Sequence, residues 1–230
     1  MSPRPKLSEQ HPDLQTAIKG TAWKQISEKG AAALSLRAIA RELNITAPAI
    51  YNYFPRRDDL VTALIVDAFN SLGESQKDAQ RNLPEDELTA RLSTLGLAYR
   101  EWAITYPQRY QLIFGTPIPG YEAPADITVP AAAWSLRPLI DMLQAIFAAG
   151  RLRVERSAEM TPELQSMLQA WSEFTGGVDV EVLYSALVIW SRVHGMVSME
   201  IGNQMPSFIT DPGEIFRREI KTIENQLIGE

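Results

Sequence analysis

The chain has no cysteine among its 230 residues and holds two histidines. Disulfides and thiolate metal sites are therefore excluded, and the composition fits a reducing cytoplasm. A histidine metal site needs partners that so few residues do not supply. From the composition we expect no metal site and no cofactor.

Long apolar runs are also scarce. By inspection, no run approaches the roughly 18–20 residues that span a bilayer. The first residues, MSPRPKLSEQHPDL, lack the apolar core of a secretory signal. We therefore expect a cytoplasmic protein with no membrane partner.

Alternation at period two, the pattern of a half-buried strand, is likewise missing. Apolar residues recur instead at spacings of three and four along almost the whole chain, which is typical of helices. The pattern predicts an all-α protein. Its short early helices suggest a small three-helix domain in residues 1–60, attached to a larger helical domain in residues 61–230.

The net charge of −6 is unfavourable for binding nucleic acid, but the charge is distributed unevenly. Residues 1–60 hold nine Lys/Arg against six Asp/Glu, a balance of +3, whereas the remainder holds thirteen against twenty-two, a balance of −9. Such asymmetry is consistent with an anionic partner at the N-terminal end, although ordinary surface scatter explains it equally well.

Residues 35–60 have the pattern of a helix-turn-helix. Ser35 is a good N-cap for the helix LRAIAREL, NI is a tight connection, and Thr46 caps a second short helix. The second helix would enter the major groove of DNA. Its outward face must be small or polar, as Thr46, Ala47 and Asn52 are. Its inward face packs on the preceding helices through Ile45, Ile50 and Phe54.

The stretch SLRAIARELNITAPAIYNYFPRRDDLV resembles the DNA-binding signature of the tetracycline-repressor (TetR) family of bacterial transcription regulators, over roughly residues 12–65. This resemblance implies that the following residues contact phosphates or lie at or near base edges: Ser35, Arg37, Thr46, Ala47, Pro48, Tyr51, Asn52 and Arg57. The sequence departs from the family pattern at Trp23, which is bulkier than expected, and at Arg57, which replaces a common lysine.

Several of these residues have simpler explanations. Ser35 serves equally well as a helix cap alone, Arg37 as a solvated charge, and Tyr51 as a structural aromatic. Arg4 and Lys6 lie on a proline-containing tail, where they could reach the DNA backbone or minor groove or could form part of a disordered tail.

In the larger domain, a stripe of small residues in one helix predicts close approach of a second copy. The expected dimer interface combines this stripe with the last helix, as a four-helix bundle of Ser191, Gly195, Ser198, Gly202, Phe216, Ile220, Ile223 and Leu227. The motif WSRVHG resembles the C-terminal domain of a TetR subgroup named for its Trp-His-Gly residues, which supports the same placement.

The family resemblance also implies a ligand pocket in each subunit. Aromatic side chains with polar tips line such pockets, but they equally form ordinary core, and a buried core histidine is the simpler account of His194. The candidate ligand-binding residues are Trp102, Tyr106, Tyr110, Phe114, Trp134, Trp171, Trp190 and His194. The expected effector is a small apolar or aromatic molecule that enters beside the proline-rich loop 115–126.

The favoured function is a homodimeric, ligand-responsive transcriptional regulator, a repressor that binds a palindromic operator in double-stranded DNA. An enzyme is a second hypothesis, but the sequence has no metal motif, no GxGxxG or P-loop signature and no locatable Ser-His-Asp set. A helical partner-binding scaffold without DNA function is the third.

Overall fold

The computed structural model describes residues 14–153 and 160–229 of the chain. Within these ranges the fold is helical, and an isolated antiparallel bridge joins Leu152 to Ile228. The all-α prediction is confirmed. Arg4 and Lys6 lie outside the described residues.

The helices of the described ranges follow in this order: α1 (Leu14–Lys29), a 3-10 turn (Ala31–Ala33), α2 (Leu36–Glu42), α3 (Ala47–Tyr51), α4 (Arg57–Gln80), α5 (Leu88–Thr105), α6 (Pro107–Phe114), α7 (Ala125–Ala148), α8 (Pro162–Phe174), α9 (Val180–Ile201) and α10 (Pro212–Leu227).

Two compact units are distinguished by their internal contacts. Unit 1 comprises the described residues up to Asn70 together with Tyr106–Ala132, and unit 2 comprises Ser71–Thr105 with the described residues from Ala133 onward. The long helices α4 and α7 contribute to both. The domain boundary at residue 60 stays a prediction.

Unit 1 is built around the apolar stripe of α1, with residues four apart in sequence on one helical face. Leu14, Ile18, Ala22 and Ile26 are all buried, and they pack with Leu36 and Ile39 of α2, Ile50 of α3 and Leu60 and Leu64 of α4. Gly30 ends α1 in the left-handed region, with φ of 78°. The apolar face of α1 thus supports all three short elements that follow it.

Unit 2 is a helical bundle in which α9 packs against α5, α8 and α10. One close approach in this unit depends on a glycine. A Cβ placed on Gly96 of α5 would clash with Cδ1 of Ile220 in α10, so a larger residue at position 96 would force the Ile220 side chain to shift.

A partly buried ion pair joins α5 to α9 in the same unit. The Arg100 guanidinium donates to both carboxylate oxygens of Glu200, at 2.8 Å and 2.5 Å, and Glu200 raises the pKa of Arg100. Breaking one side of such a pair is costly, because it leaves the other charge uncompensated.

Helix α9 is, by length and composition alone, apolar enough to cross a bilayer. Three charged residues, Glu181, Arg192 and Glu200, interrupt its apolar sequence. Arg192 pairs with Glu219 of α10 and Glu200 pairs with Arg100. Together with the buried side chains of α9, these pairs are the contacts of a packed core helix, which passes the same test.

Candidate nucleic-acid interface

Ser35 fixes the start of α2 and ties it to α1. Its Oγ accepts a hydrogen bond from the Ala38 N–H at 3.4 Å, as an N-cap residue does. Its own backbone N–H donates to Oε1 of Gln25, 3.3 Å away, and the Gln25 side chain is buried in α1. The predicted cap is confirmed, and the hydroxyl of Ser35 is already engaged in it.

The turn between α2 and α3 is closed by two backbone hydrogen bonds. The N–H of Asn44 donates to the Arg41 carbonyl at 3.2 Å, and that of Ile45 donates to the Ala40 carbonyl at 3.0 Å. Asn44 adopts a left-handed conformation with φ of 54°, which asparagine tolerates better than most residues. This turn sets α3 at its angle to α2.

Helix α3 divides into a buried side and an exposed side. Ile50 is 0% exposed, and Ile45 and Phe54, which flank the helix, are buried with it in the core of unit 1. The predicted DNA-facing residues on and beside this helix are exposed: Thr46, Ala47, Pro48, Tyr51 and Asn52. Thr46 occupies the N-cap position without a side-chain cap bond. The hydroxyl and amide groups of this face are therefore turned toward solvent.

Arg57 is held differently from the way the sequence suggested. Its Nη2 donates to the carbonyls of Ala31 and Ala32, at 3.1 Å and 3.3 Å, and Nη1 lies 3.6 Å from the Asp58 carboxylate. Its Nε is buried and has no acceptor among the described residues. Arg57 thus anchors α4 to the 3-10 turn, and its role as a phosphate contact stays a prediction.

Three further side chains, which the sequence pattern did not single out, belong to the exposed surface around α2 and α3. Arg41 lies one turn after Arg37 on α2, and both are exposed. Tyr53 and Arg56 are exposed just beyond α3. The four-residue spacing of Arg37 and Arg41 was the available signal, because such a pair shares one helical face.

Arg56 also caps α4 through Asp59. The Asp59 carboxylate accepts from the Arg56 backbone N–H at 2.9 Å and from its guanidinium Nη2 at 2.7 Å. The side-chain hydrogen bond from Arg56 lowers the pKa of Asp59. At neutral pH the two charges offset one another, and the guanidinium stays solvent-exposed.

Trp23, the departure from the family pattern, has a local role in unit 1. The Arg109 guanidinium of α6 lies 5.5 Å from the centroid of the Trp23 ring and 4.4 Å from that of Tyr106. Cation–π contacts of this kind link α6 to α1.

Three of the predicted ligand-binding residues lie in unit 1. Tyr110 is buried and packs edge-to-face on Phe114, which in turn packs on Phe69 of α4. Tyr106 is exposed on one side and lies against Arg109 on the other.

The other five lie in unit 2. Trp190 stacks on His194 with ring centroids 5.0 Å apart, and the Tyr99 hydroxyl lies 2.9 Å from Nδ1 of His194. Burial lowers the pKa of His194. Trp102 is buried and donates from Nε1 to Oγ of Ser71 at 3.0 Å. Trp134 is 42% exposed beneath the Lys77 ammonium, and Trp171 is half-buried on α8.

The predicted dimer residues fall into two groups. On α9, Ser191 and Gly202 are exposed and Gly195 and Ser198 are partly exposed. On α10, Phe216, Ile220 and Ile223 are buried inside the chain itself, and Leu227 is partly exposed. The apolar stripe of α10 is thus occupied by unit 2, and the part of α10 in a dimer stays a prediction.

Among the described residues, no group of three or more His, Asp or Glu side chains is arranged to hold a metal ion.

Two family models match the chain. Residues 18–64 match the model described as bacterial regulatory proteins, tetR family, and residues 92–223 match the model described as tetracyclin repressor-like, C-terminal domain. The second match alone spans more than half of the chain.

Curated and solved relatives agree with these models. The HTH-type transcriptional regulator Rv1816 of Mycobacterium tuberculosis (strain ATCC 25618 / H37Rv) is 32% identical over 211 residues, covering 91% of this chain and 90% of the relative. The crystal structure of a regulatory protein, SCO4313, is 35% identical, with a TM-score of 0.76 over 96% of this chain and 98% of that one. A tetR-family regulatory protein from Rhodococcus RHA1, 16% identical with a TM-score of 0.65 over 95% of this chain and 99% of that one, shares the fold.

Proposed function

The chain belongs to the TetR family of bacterial regulatory proteins and is a DNA-binding transcriptional regulator, and from that premise we propose that it is a homodimeric repressor. In this proposal each subunit places α3 in the major groove of one half of a palindromic operator. A small apolar or aromatic molecule then releases the dimer from DNA.

One observation carries the DNA-binding role of α3. The helix buries Ile50 completely, while Tyr51 beside it is 38% exposed and Thr46 and Asn52 face solvent. A short helix with hydroxyl, amide and small apolar groups outward suits contacts to base edges and phosphates. The exposed Arg37, Arg41 and Arg56 support phosphate binding on the same unit.

Dimerisation through α9 is supported by Gly195. Among the described residues, a Cβ added at this position meets no atom of another element within 4 Å. Glycine in a helix costs about 0.5–1 kcal/mol against alanine, and no close packing among the described residues offsets that cost. A closely packed second copy would do so. Leu187 and Tyr184 are exposed on the same helix and would be buried with it.

Ligand response requires two conformers that bind DNA differently. The two recognition helices must lie about 34–36 Å apart to reach successive turns of the major groove. An effector weakens operator binding if it binds more tightly to a conformer with a different spacing. By linkage, the operator weakens effector binding by the same factor. The Trp190–His194–Tyr99 cluster of unit 2 offers an apolar body with polar tips, as such an effector would need.

The test is a gel shift with the DNA that lies upstream of the gene. We expect the wild type to bind and Tyr51→Ala to lose most of its binding, because both the ring and the hydroxyl leave the DNA-facing side. Phe174→Ala, at an exposed aromatic of α8, is the matched control and should bind normally. Full binding by a folded Tyr51→Ala protein would remove Tyr51 from the interface.

A further inference from the structure

Residues 44–55, which contain α3 and the turns beside it, hold no charged side chain. Cations flank this stretch on both sides, with Arg41 on α2 and Arg56 beyond α3, where Arg56 is bonded to Asp59. The attraction to phosphate charges therefore comes from residues outside α3. In the major groove, α3 itself offers neutral side chains to the bases.

Two residues mark the centre of the exposed face of α3. Pro48 and Asn52 each lie two residues from the fully buried Ile50, so each is about 160° around the helix axis from it. The Asn52 N–H donates to the Pro48 carbonyl at 3.2 Å, which places the two residues one helical turn apart. Both are exposed. The side of α3 opposite the core of unit 1 thus carries an apolar ring and a side-chain amide in one row.

The side-chain amide of Asn52 is complementary to one base. It has an acceptor oxygen and a donor NH₂ group, and the major-groove edge of adenine presents an acceptor at N7 and a donor at N6. Guanine presents two acceptors there, which a guanidinium or ammonium satisfies, and cytosine presents a donor that a carboxylate accepts. Residues 44–55 hold neither kind of charge.

The apolar groups beside Asn52 are complementary to thymine. Among the four bases, thymine carries a C5-methyl group in the major groove. Ala47 and Pro48 are exposed and have no donor or acceptor in their side chains, and the exposed Thr46 adds a methyl group. Packing a thymine methyl on these groups removes apolar surface from water, whereas covering the polar edge of a G·C pair with them leaves base atoms without partners.

On the basis of the DNA-binding function proposed above, we propose that α3 recognises A·T base pairs in each half of the operator. The Asn52 amide bonds to N6 and N7 of an adenine, and Pro48 packs on a thymine methyl group. Because these contacts neutralise no phosphate, they contribute to base preference without contributing to the salt dependence of binding.

Selection of binding sites from a randomised DNA duplex library tests this base preference. We expect the full wild-type chain to enrich one sequence, and Asn52→Ala to relax the preference at an A·T pair of that sequence. Asn82→Ala, at an exposed asparagine beyond α4 in unit 2, is the matched control. It should enrich the same sequence as the wild type.

Altered bases in the selected duplex test the contacts atom by atom. Replacing the adenines of a half-site one at a time by 7-deazaadenine removes the N7 acceptor. At one position this should weaken wild-type binding about threefold or more, and it should leave Asn52→Ala unaffected. Replacing thymines by uracil removes the methyl group and should weaken wild-type binding about twofold or more at one position. Asn52→Ala should keep the wild-type slope of log K against log salt, which distinguishes a base contact from a phosphate contact.

The possible results separate this base preference from DNA binding itself. A wild type that enriches no sequence contradicts both. A selected sequence in which Asn52→Ala changes the preference only at a G·C pair, or at no pair, overturns the recognition of A·T pairs and leaves DNA binding intact. Equal wild-type affinity for the normal, 7-deazaadenine and uracil duplexes overturns it too, and this comparison needs no variant to fold.

Discussion

At the scale of single residues, the sequence predicts a helix start or end wherever a single capping residue determines it. Ser35 and Gly30 mark a helix start and a helix end through capping chemistry that acts over three or four residues. Arg57 was not predictable in the same way. Its partners, the carbonyls of Ala31 and Ala32, are more than twenty residues away, and no local pattern brings them together.

The cap at Ser35 gives a residue-scale prediction. Ser35→Ala removes the acceptor of the Ala38 N–H and should lower the free energy of unfolding by about 0.5–2 kcal/mol. Urea unfolding followed by circular dichroism measures the change. Ser27→Ala removes an exposed hydroxyl that bonds to a carbonyl of its own helix, and it should change stability much less. Equal stability of the two variants would show that the cap contributes nothing.

His194 gives a pH dependence. Burial lowers its pKa in the folded chain, so below about pH 6.5 the unfolded chain binds the proton first. The stability contributed by neutral His194 is therefore fully present above about pH 6.5, and it is lost as the pH falls from there through the lowered pKa of the folded chain. His194→Phe keeps an aromatic ring against Trp190 but does not titrate.

Urea unfolding at pH 7.5 and pH 5.5 checks this expectation. The wild type should lose more stability than His194→Phe between the two values, and the comparison cancels the histidine at position 11. An equal loss in both proteins would mean that the pKa of His194 is the same folded and unfolded.

At the scale of elements, periodicity predicted which residues of a helix share a face but not what covers that face. Helix α10 was expected to offer Phe216, Ile220 and Ile223 to a second copy. Its apolar stripe instead packs within unit 2, where Gly96 admits Ile220. Apolar residues have the same spacing along a helix whether the helix that covers them belongs to the same chain or to another.

The contact between α5 and α10 can be tested at Gly96. Gly96→Ala places a Cβ 2.4 Å from Cδ1 of Ile220, so the buried Ile220 side chain must shift. Overpacking costs about 1–3 kcal/mol, and the better helix propensity of alanine returns at most about 1 kcal/mol. We expect a net loss of stability in denaturant unfolding. A stabilised Gly96→Ala protein would mean that Ile220 moves without cost.

At the scale of the whole molecule, the chain is acidic overall but its N-terminal 60 residues carry a net positive charge. The net charge of −6 combines +3 in residues 1–60 with −9 in the remainder. Family membership and the two-part organisation followed from sequence, because the helix-turn-helix signature agrees in residue type and spacing at many positions.

The dimer proposal is tested at Gly195. Gly195→Leu projects a large side chain from α9 into space that the described residues leave open, so folding of the subunit should be unaffected. We expect sedimentation velocity to show a dimer for the wild type and a shift toward monomer for Gly195→Leu. A wild-type monomer at micromolar concentration, or an unchanged dimer in the variant, would contradict an α9 interface.

The central claim is that the surface around α2 and α3 binds DNA, and the salt dependence of binding tests it most directly. Fluorescence anisotropy with the upstream duplex gives log K against log salt for the wild type, for Arg37→Gln and for the exposed control Arg218→Gln. Each phosphate contact contributes about 0.9 to the slope, so Arg37→Gln should reduce it by about 1.8 in a dimer. Arg218→Gln should leave the slope unchanged. A wild-type affinity that is independent of salt, or equal slopes in all three proteins, would contradict the account.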